Sequence, residues 1–199
     1  MGNVKNGILN GSWSAVLGWL VFVLKHPSCR DDLADAVNSI MKDCRLAYGV
    51  LDGVVISPIG SDAERATIER AFADLVATEF HGARAHFRKA AEELTAGHYP
   101  DSVRESINAV EATARVLEPS AALSSALGRL EKSVNIHPAL KQGFGKLYGY
   151  TSDEKGIRHP LLDDGTAKVD DTDALFMIGA CAAFVSYLIN KARSAGMLK

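Results

Sequence analysis

Arg158 and His159 stand side by side in the stretch GYTSDEKGIRHPLLDDG, residues 149–165, framed by Gly156 and Pro160. A guanidinium grips phosphate through two parallel N–H bonds. An imidazole near its reference pKa of ~6.5 exchanges protons at neutral pH. Together they are what RNA cleavage without a metal needs: His159 as acid or base at the ribose, and Arg158 as a cation against the charge of the phosphorane. Lys155 adds charge to the pair. With Arg129, Lys132, Lys141 and Lys146 it makes residues 129–158 the one basic stretch of the chain, set against Glu131, Asp153 and Glu154. The plain alternative stays open, in which Arg158 pairs the loop to an acid and His159 fills a helix end.

A second set lies in PDSVRESINAVEATARVL, residues 100–117. Val103, Ile107, Val110, Ala114 and Leu117 recur at three- and four-residue steps and predict a core-facing helix stripe. Arg104, Asn108, Glu111 and Arg115 form a polar stripe beside it. Ion pairs along a solvated face would explain that stripe. Bordering a groove that binds RNA or a nucleotide would explain it too, and Asn108, unfavourable in mid-helix, favours a specific role.

Other groups carry less. Asp163, Asp164, Asp170, Asp171 and Asp173 lack the spacing and closing glutamate of a calcium loop, so loop solvation and helix starts account for them. His81, His86 and His98 have no metal-ligand spacing, and the GFG of residues 143–145 is neither a phosphate loop nor a dinucleotide fingerprint. No metal and no cofactor are expected.

These groups need a scaffold. Residues 31–46 place Leu33, Val37, Ile40 and Cys44 on one helical stripe, after a short helix ending at Leu24. The segment LAYGVLDGVVISPI, residues 46–59, predicts a β-hairpin with Asp52-Gly53 in a type I′ turn, closed by Pro58. Two strands alone are marginal, so the hairpin must lean on a helix. Ser61 and Glu64 have capping-box spacing at the head of a helix over 61–79 that buries Ile68, Phe72 and Leu75. Helices follow over 82–95 (closed by Gly97), 100–117, 121–134 and 138–148. A loop then spans 149–171, and a last apolar helix runs from Thr172 to Ala195. The fold expectation is all-α: an antiparallel helical bundle over residues 61–199, with a small helix and β-hairpin appendage over 1–60.

Composition bounds the partners. Among 199 residues, 22 Lys and Arg face 24 Asp and Glu, so no global basic field announces nucleic acid or anionic lipid. Cys29, Cys44 and Cys181 lack CxxC spacing and fit a reducing, cytoplasmic setting better than a disulfide scaffold. The apolar runs 15–24 and 174–189 fall short of the ~20 residues that span a bilayer, and read as core helices rather than membrane segments. Lys25-His26-Pro27 directly after the first run leaves no cleavage site for a signal peptide.

The stretches FRKAAEELTAGHYPDSVRESINAVEATARVL and HPALKQGFGKLYGYTSDEKGIRHPLL, with the apolar last helix, resemble the HEPN-like C-terminal domains of bacterial abortive-infection (AbiJ-type) proteins. YGVLDGVVISPIGSDAERATIERAF is similar to the hairpin and helix that precede such domains, so the resemblance covers about residues 46–191. It implies a bundle of four or five helices, a homodimer, RNA or nucleotide as ligand, and a protein partner within a defence or toxin–antitoxin system. Many members are metal-independent endoribonucleases; others are non-catalytic binding or dimerisation modules. Nuclease members separate their arginine and histidine by several residues, whereas Arg158 and His159 are adjacent. Arg104, Asn108 and Glu111 match the supporting polar residues on the facing helix.

Overall fold

The computed structural model describes residues 10–119, 123–153, 157 and 168–198. It is mostly helical with one small antiparallel hairpin, as expected. In chain order the elements are α1 (Trp13–Leu24), α2 (Leu33–Asp43), β1 (Tyr48–Leu51), β2 (Val55–Pro58), α3 (Asp62–Asp74), a 3-10 turn (Thr78–Phe80), α4 (His81–Ala96), α5 (Tyr99–Leu117), α6 (Leu123–Ser133), α7 (Pro138–Asp153) and α8 (Asp171–Ser194).

The helix ends follow local chemistry. Ser12 caps α1 by accepting from Ala15 N at 3.2 Å, and Ser61 caps α3 by accepting from Glu64 N at 3.1 Å. Glu64 completes only a variant of the expected box, since its Oε2 accepts from Gly60 N at 2.6 Å, one residue before the cap. At Gly97 (φ 79°) the chain leaves α4 and folds back into α5, in the left-handed region glycine tolerates. Asp170 and Asp173 exchange backbone hydrogen bonds in a true capping box that starts α8. For two of the five aspartates the helix-start reading therefore holds. α7 continues through Asp153, so the expected loop from 149 begins with one more turn of helix.

The hairpin is the layer that ties the chain together. Leu51, Val55 and Ile59 join the main core, while Val50 and Ile56, pointing the other way, close a second cluster with Leu24, Val37 and Met41. This is the period-2 alternation of a strand used on both faces. Asp52 (φ 50°) and Gly53 (φ 71°) adopt the two positive φ values of a I′ turn, and Val54 N donates to Leu51 O at 3.2 Å. Leu51 pairs with Val55, so Val54 is one residue more than a two-residue hairpin needs. The turn is pinned from below: Arg84 and Arg88 of α4 both reach the Asp52 carboxylate at 2.5 Å, and that carboxylate is nearly buried.

On the far side, Asn38 of α2 mimics a neighbouring strand. Its amide donates to Val50 O at 3.0 Å and accepts from Val50 N at 2.7 Å. Arg65 of α3 reaches Asn38 Oδ1 and Tyr48 O, both at 3.2 Å, across Gly49, where any Cβ would overlap its guanidinium. Fixing Asn38 this way turns the inward stripe of α2 to Val37 and Met41. Ile40 and Cys44, expected on that stripe, are exposed.

Within the bundle, α8 packs on α3, α4 and α5, and α6 and α7 pack against α5. α8 buries eleven residues, including Phe184, which stacks on Phe144 of α7 with centroids 3.3 Å apart. At 24 residues α8 is longer than the apolar run suggested, and is long and apolar enough to cross a membrane. More than half of its apolar window (56%) is covered by the protein itself, the mark of a core helix.

Candidate functional site

The polar stripe of α5 exists as a face. Asp101, Arg104, Glu105, Asn108, Glu111 and Arg115 share one side of the helix, while Val103, Ile107, Val110, Ala114 and Leu117 are buried on the other, as expected. Arg104 is the hub. Its Nη2 pairs with Asp101 at 2.5 Å, its Nε lies 3.8 Å from Glu105, and its Nη1 donates to the carbonyl of Ile157 at 3.3 Å. Ile157 is fully buried. The residue directly before Arg158 is thus moored to the second turn of α5. Arg158, His159 and Lys155 themselves lie outside the described residues.

The other two predicted residues divide. Glu111, largely buried, lies 3.9 Å from Arg115, the pairing of a helix face. Asn108 is half-buried, and its amide has no hydrogen-bond partner among the described residues. Three acids (Asp101, Glu105, Glu111) stand against two arginines (Arg104, Arg115) on this face. A polyanion meeting it would need the cations of residues 155–158.

One pairing escaped the sequence reading, which weighed His86 as a metal ligand alone. His86 of α4 places Nδ1 2.6 Å from Glu105 Oε2, with the carboxylate mostly buried and the imidazole 41% exposed. A carboxylate that fixes one ring nitrogen and leaves the other open to solvent is the arrangement of an oriented general base. The signal was the turn at Gly97: helices that fold back about one glycine bring residues at similar distances from it together.

Toward that turn, Glu93 accepts from Lys89 and from His98, each at 2.7 Å. Its pKa is held below the usual carboxylate range, chiefly by the Lys89 ammonium, and Glu93 in turn raises that of Lys89. Glu93, His98 and Asp101 offer ligand atoms within 4.8 Å of one another, a grouping that spacing alone did not reveal. Lys89 and Arg104 already neutralise both carboxylates. A metal ion would have to displace an ammonium and a guanidinium.

Comparison of the chain with protein-family models, with curated proteins and with solved structures gives no match.

Proposed function

We propose that this chain is a HEPN-like module of the abortive-infection kind, which binds RNA or a nucleotide where α5 meets the segment holding Lys155, Arg158 and His159. The hydrogen bond from Arg104 to Ile157 O supports the reading, because it holds Ile157, the residue before Arg158, against a helix face where the Asn108 amide has no partner among the described residues. Binding at Arg158 would be bidentate and charge-assisted, which suits phosphate. A homodimer, a defence-system protein partner and a reducing cytoplasmic setting belong to the same reading.

Cleavage is the second reading, with His159 as acid or base and Arg158 as phosphate clamp. One observation favours it: His86 and Arg104 share the Glu105 carboxylate, which gives this face an oriented imidazole as a second group able to move a proton. Incubating the purified protein with single-stranded and structured RNA in EDTA separates the two. The binding reading expects retention of RNA without cutting, and a loss of about tenfold or more in affinity for Arg158→Ala. Cutting in EDTA that falls about 100- to 10,000-fold in His159→Ala would replace it with the nuclease reading. Absence of both binding and cutting removes both.

A further inference from the structure

We infer that the groove between α3 and α8 is a binding site for a nucleoside monophosphate, separate from the α5 site. The groove has a volume of about 580 Å³, within the range of small-molecule sites. Ala66 on one wall and Ala183 on the other are too small to fill it. Arg70 of α3 and Lys191 of α8 line it, and no carboxylate does. Asp74, one turn along α3 from Arg70, is buried and already engaged by Arg193 at 2.5 Å and Asn190 at 3.0 Å. Its charge therefore answers Arg193 and leaves the two groove cations uncompensated.

Arg70 has no hydrogen-bond or ion-pair partner among the described residues. Lys191, by contrast, is positioned: it donates to Asn135 O at 3.2 Å and lies 5.8 Å from the centroid of the Tyr187 ring. Beneath them Ser186 lines the groove, more than nine-tenths buried, and its hydroxyl has no partner. A helical serine that bonds neither its own backbone nor a neighbour is an unmet donor, and such groups call for an explanation. A phosphate oxygen between Arg70 and Lys191 supplies one once the serine changes rotamer, since its hydroxyl oxygen is closed to solvent in the empty groove. The Tyr187 ring, half-buried along the same wall, lies parallel to Phe184 at 6.0 Å with Lys191 over it, so a base stacks there as Lys191 swings from the ring to the phosphate. Two cations, a buried hydroxyl and an aromatic wall match a phosphate monoester on a planar body better than inorganic phosphate or a bare nucleoside.

Calorimetry of the full chain with AMP, GMP, CMP and UMP, with adenosine and with inorganic phosphate tests the site. The expected result is saturable binding of at least one monophosphate, and at least tenfold weaker binding of adenosine and of inorganic phosphate. Arg70→Glu should reduce monophosphate affinity at least tenfold and Ser186→Ala several-fold, while Lys42→Glu, on exposed α2, changes nothing. Arg158→Ala should leave it unchanged, which keeps this site distinct from the one proposed on α5. Absence of monophosphate binding, equal binding of inorganic phosphate, or binding that Arg70→Glu leaves intact overturns the inference. So does a monophosphate affinity that Arg158→Ala alone abolishes.

Discussion

α1 and α8 are the two helices whose apolar sequence invites a membrane reading, and the protein uses them in opposite ways. α1 is the more uniformly apolar, yet of its twelve residues Leu24 alone is fully buried, and Trp13 (61%) and Phe22 (69%) are largely exposed. α8 carries Asn, Lys and Arg toward its end and still buries eleven residues. The difference lies in their neighbours. α8 has helices on several sides, whereas α1 rests on one face of a two-stranded hairpin and reaches the bundle through an exposed Lys25–Glu92 pair at 2.6 Å. Exposed ion pairs of this kind contribute about 0–1 kcal/mol. An apolar helix can only bury what the surrounding elements cover, so apolarity marks the capacity for burial rather than its outcome.

Thiol reactivity gives the widest contrast. Burial pushes the Cys181 thiol of α8 up to about 12. At pH 8 the reactive thiolate is therefore scarce there, and the sulfur is covered besides. Native protein treated with an alkylating reagent should label at exposed Cys44 and remain unlabelled at Cys181 until denaturant is added. Prompt labelling of Cys181 without denaturant would mean that α8 opens far more readily than its packing implies.

Next in size is the core of α8 itself. Phe184→Ala should cost about 3–5 kcal/mol by urea denaturation, because it removes a buried ring and its stack with Phe144. A loss under 1 kcal/mol would show that α8 is no better anchored than α1.

The hairpin supporting α1 should respond at an intermediate level. Gly53→Val forces a branched side chain to φ 71° and should destabilise by more than ~1 kcal/mol, although a Cβ there meets nothing. Asp52→Asn keeps a residue that tolerates positive φ but takes the charge from under Arg84 and Arg88, so about 1.5–3 kcal/mol should be lost. If Gly53→Val costs nothing, conformational strain is not what selects glycine at that turn.

Phe22→Ser on α1 should change stability least, within about 0.5 kcal/mol, while reducing self-association at high concentration. A large destabilisation would show that the exposed face of α1 is covered in solution.

The features legible in the sequence were those decided locally. The Ser61 cap, the glycines at 53 and 97, and the buried stripe of α5 each follow from a few adjacent residues, and all appear as expected. The Ile40–Cys44 edge of α2 was misjudged because Asn38, held by Val50 and Arg65, sets the rotation of that helix from outside it. The His86–Glu105 pair was invisible because neither residue breaks its own helix pattern; only the folding back at Gly97 joins them. Of the candidate site, the α5 face was readable as a period. Its mooring to Ile157 was not, since a guanidinium reaching a backbone carbonyl on a distant segment leaves no spacing to read.

The central place of α8 has a further consequence during synthesis. Every helix it covers precedes it in the chain, so α3, α4 and α5 emerge from the ribosome with their inner faces open. Chains grow at about 5–20 residues per second. The 77 residues from the end of α5 at Leu117 to the end of α8 at Ser194 therefore leave those faces bare for roughly four to fifteen seconds. Over that interval the nascent chain is a natural client for a chaperone that shields apolar surface, and slowing translation after residue 117 should lengthen its dependence on one.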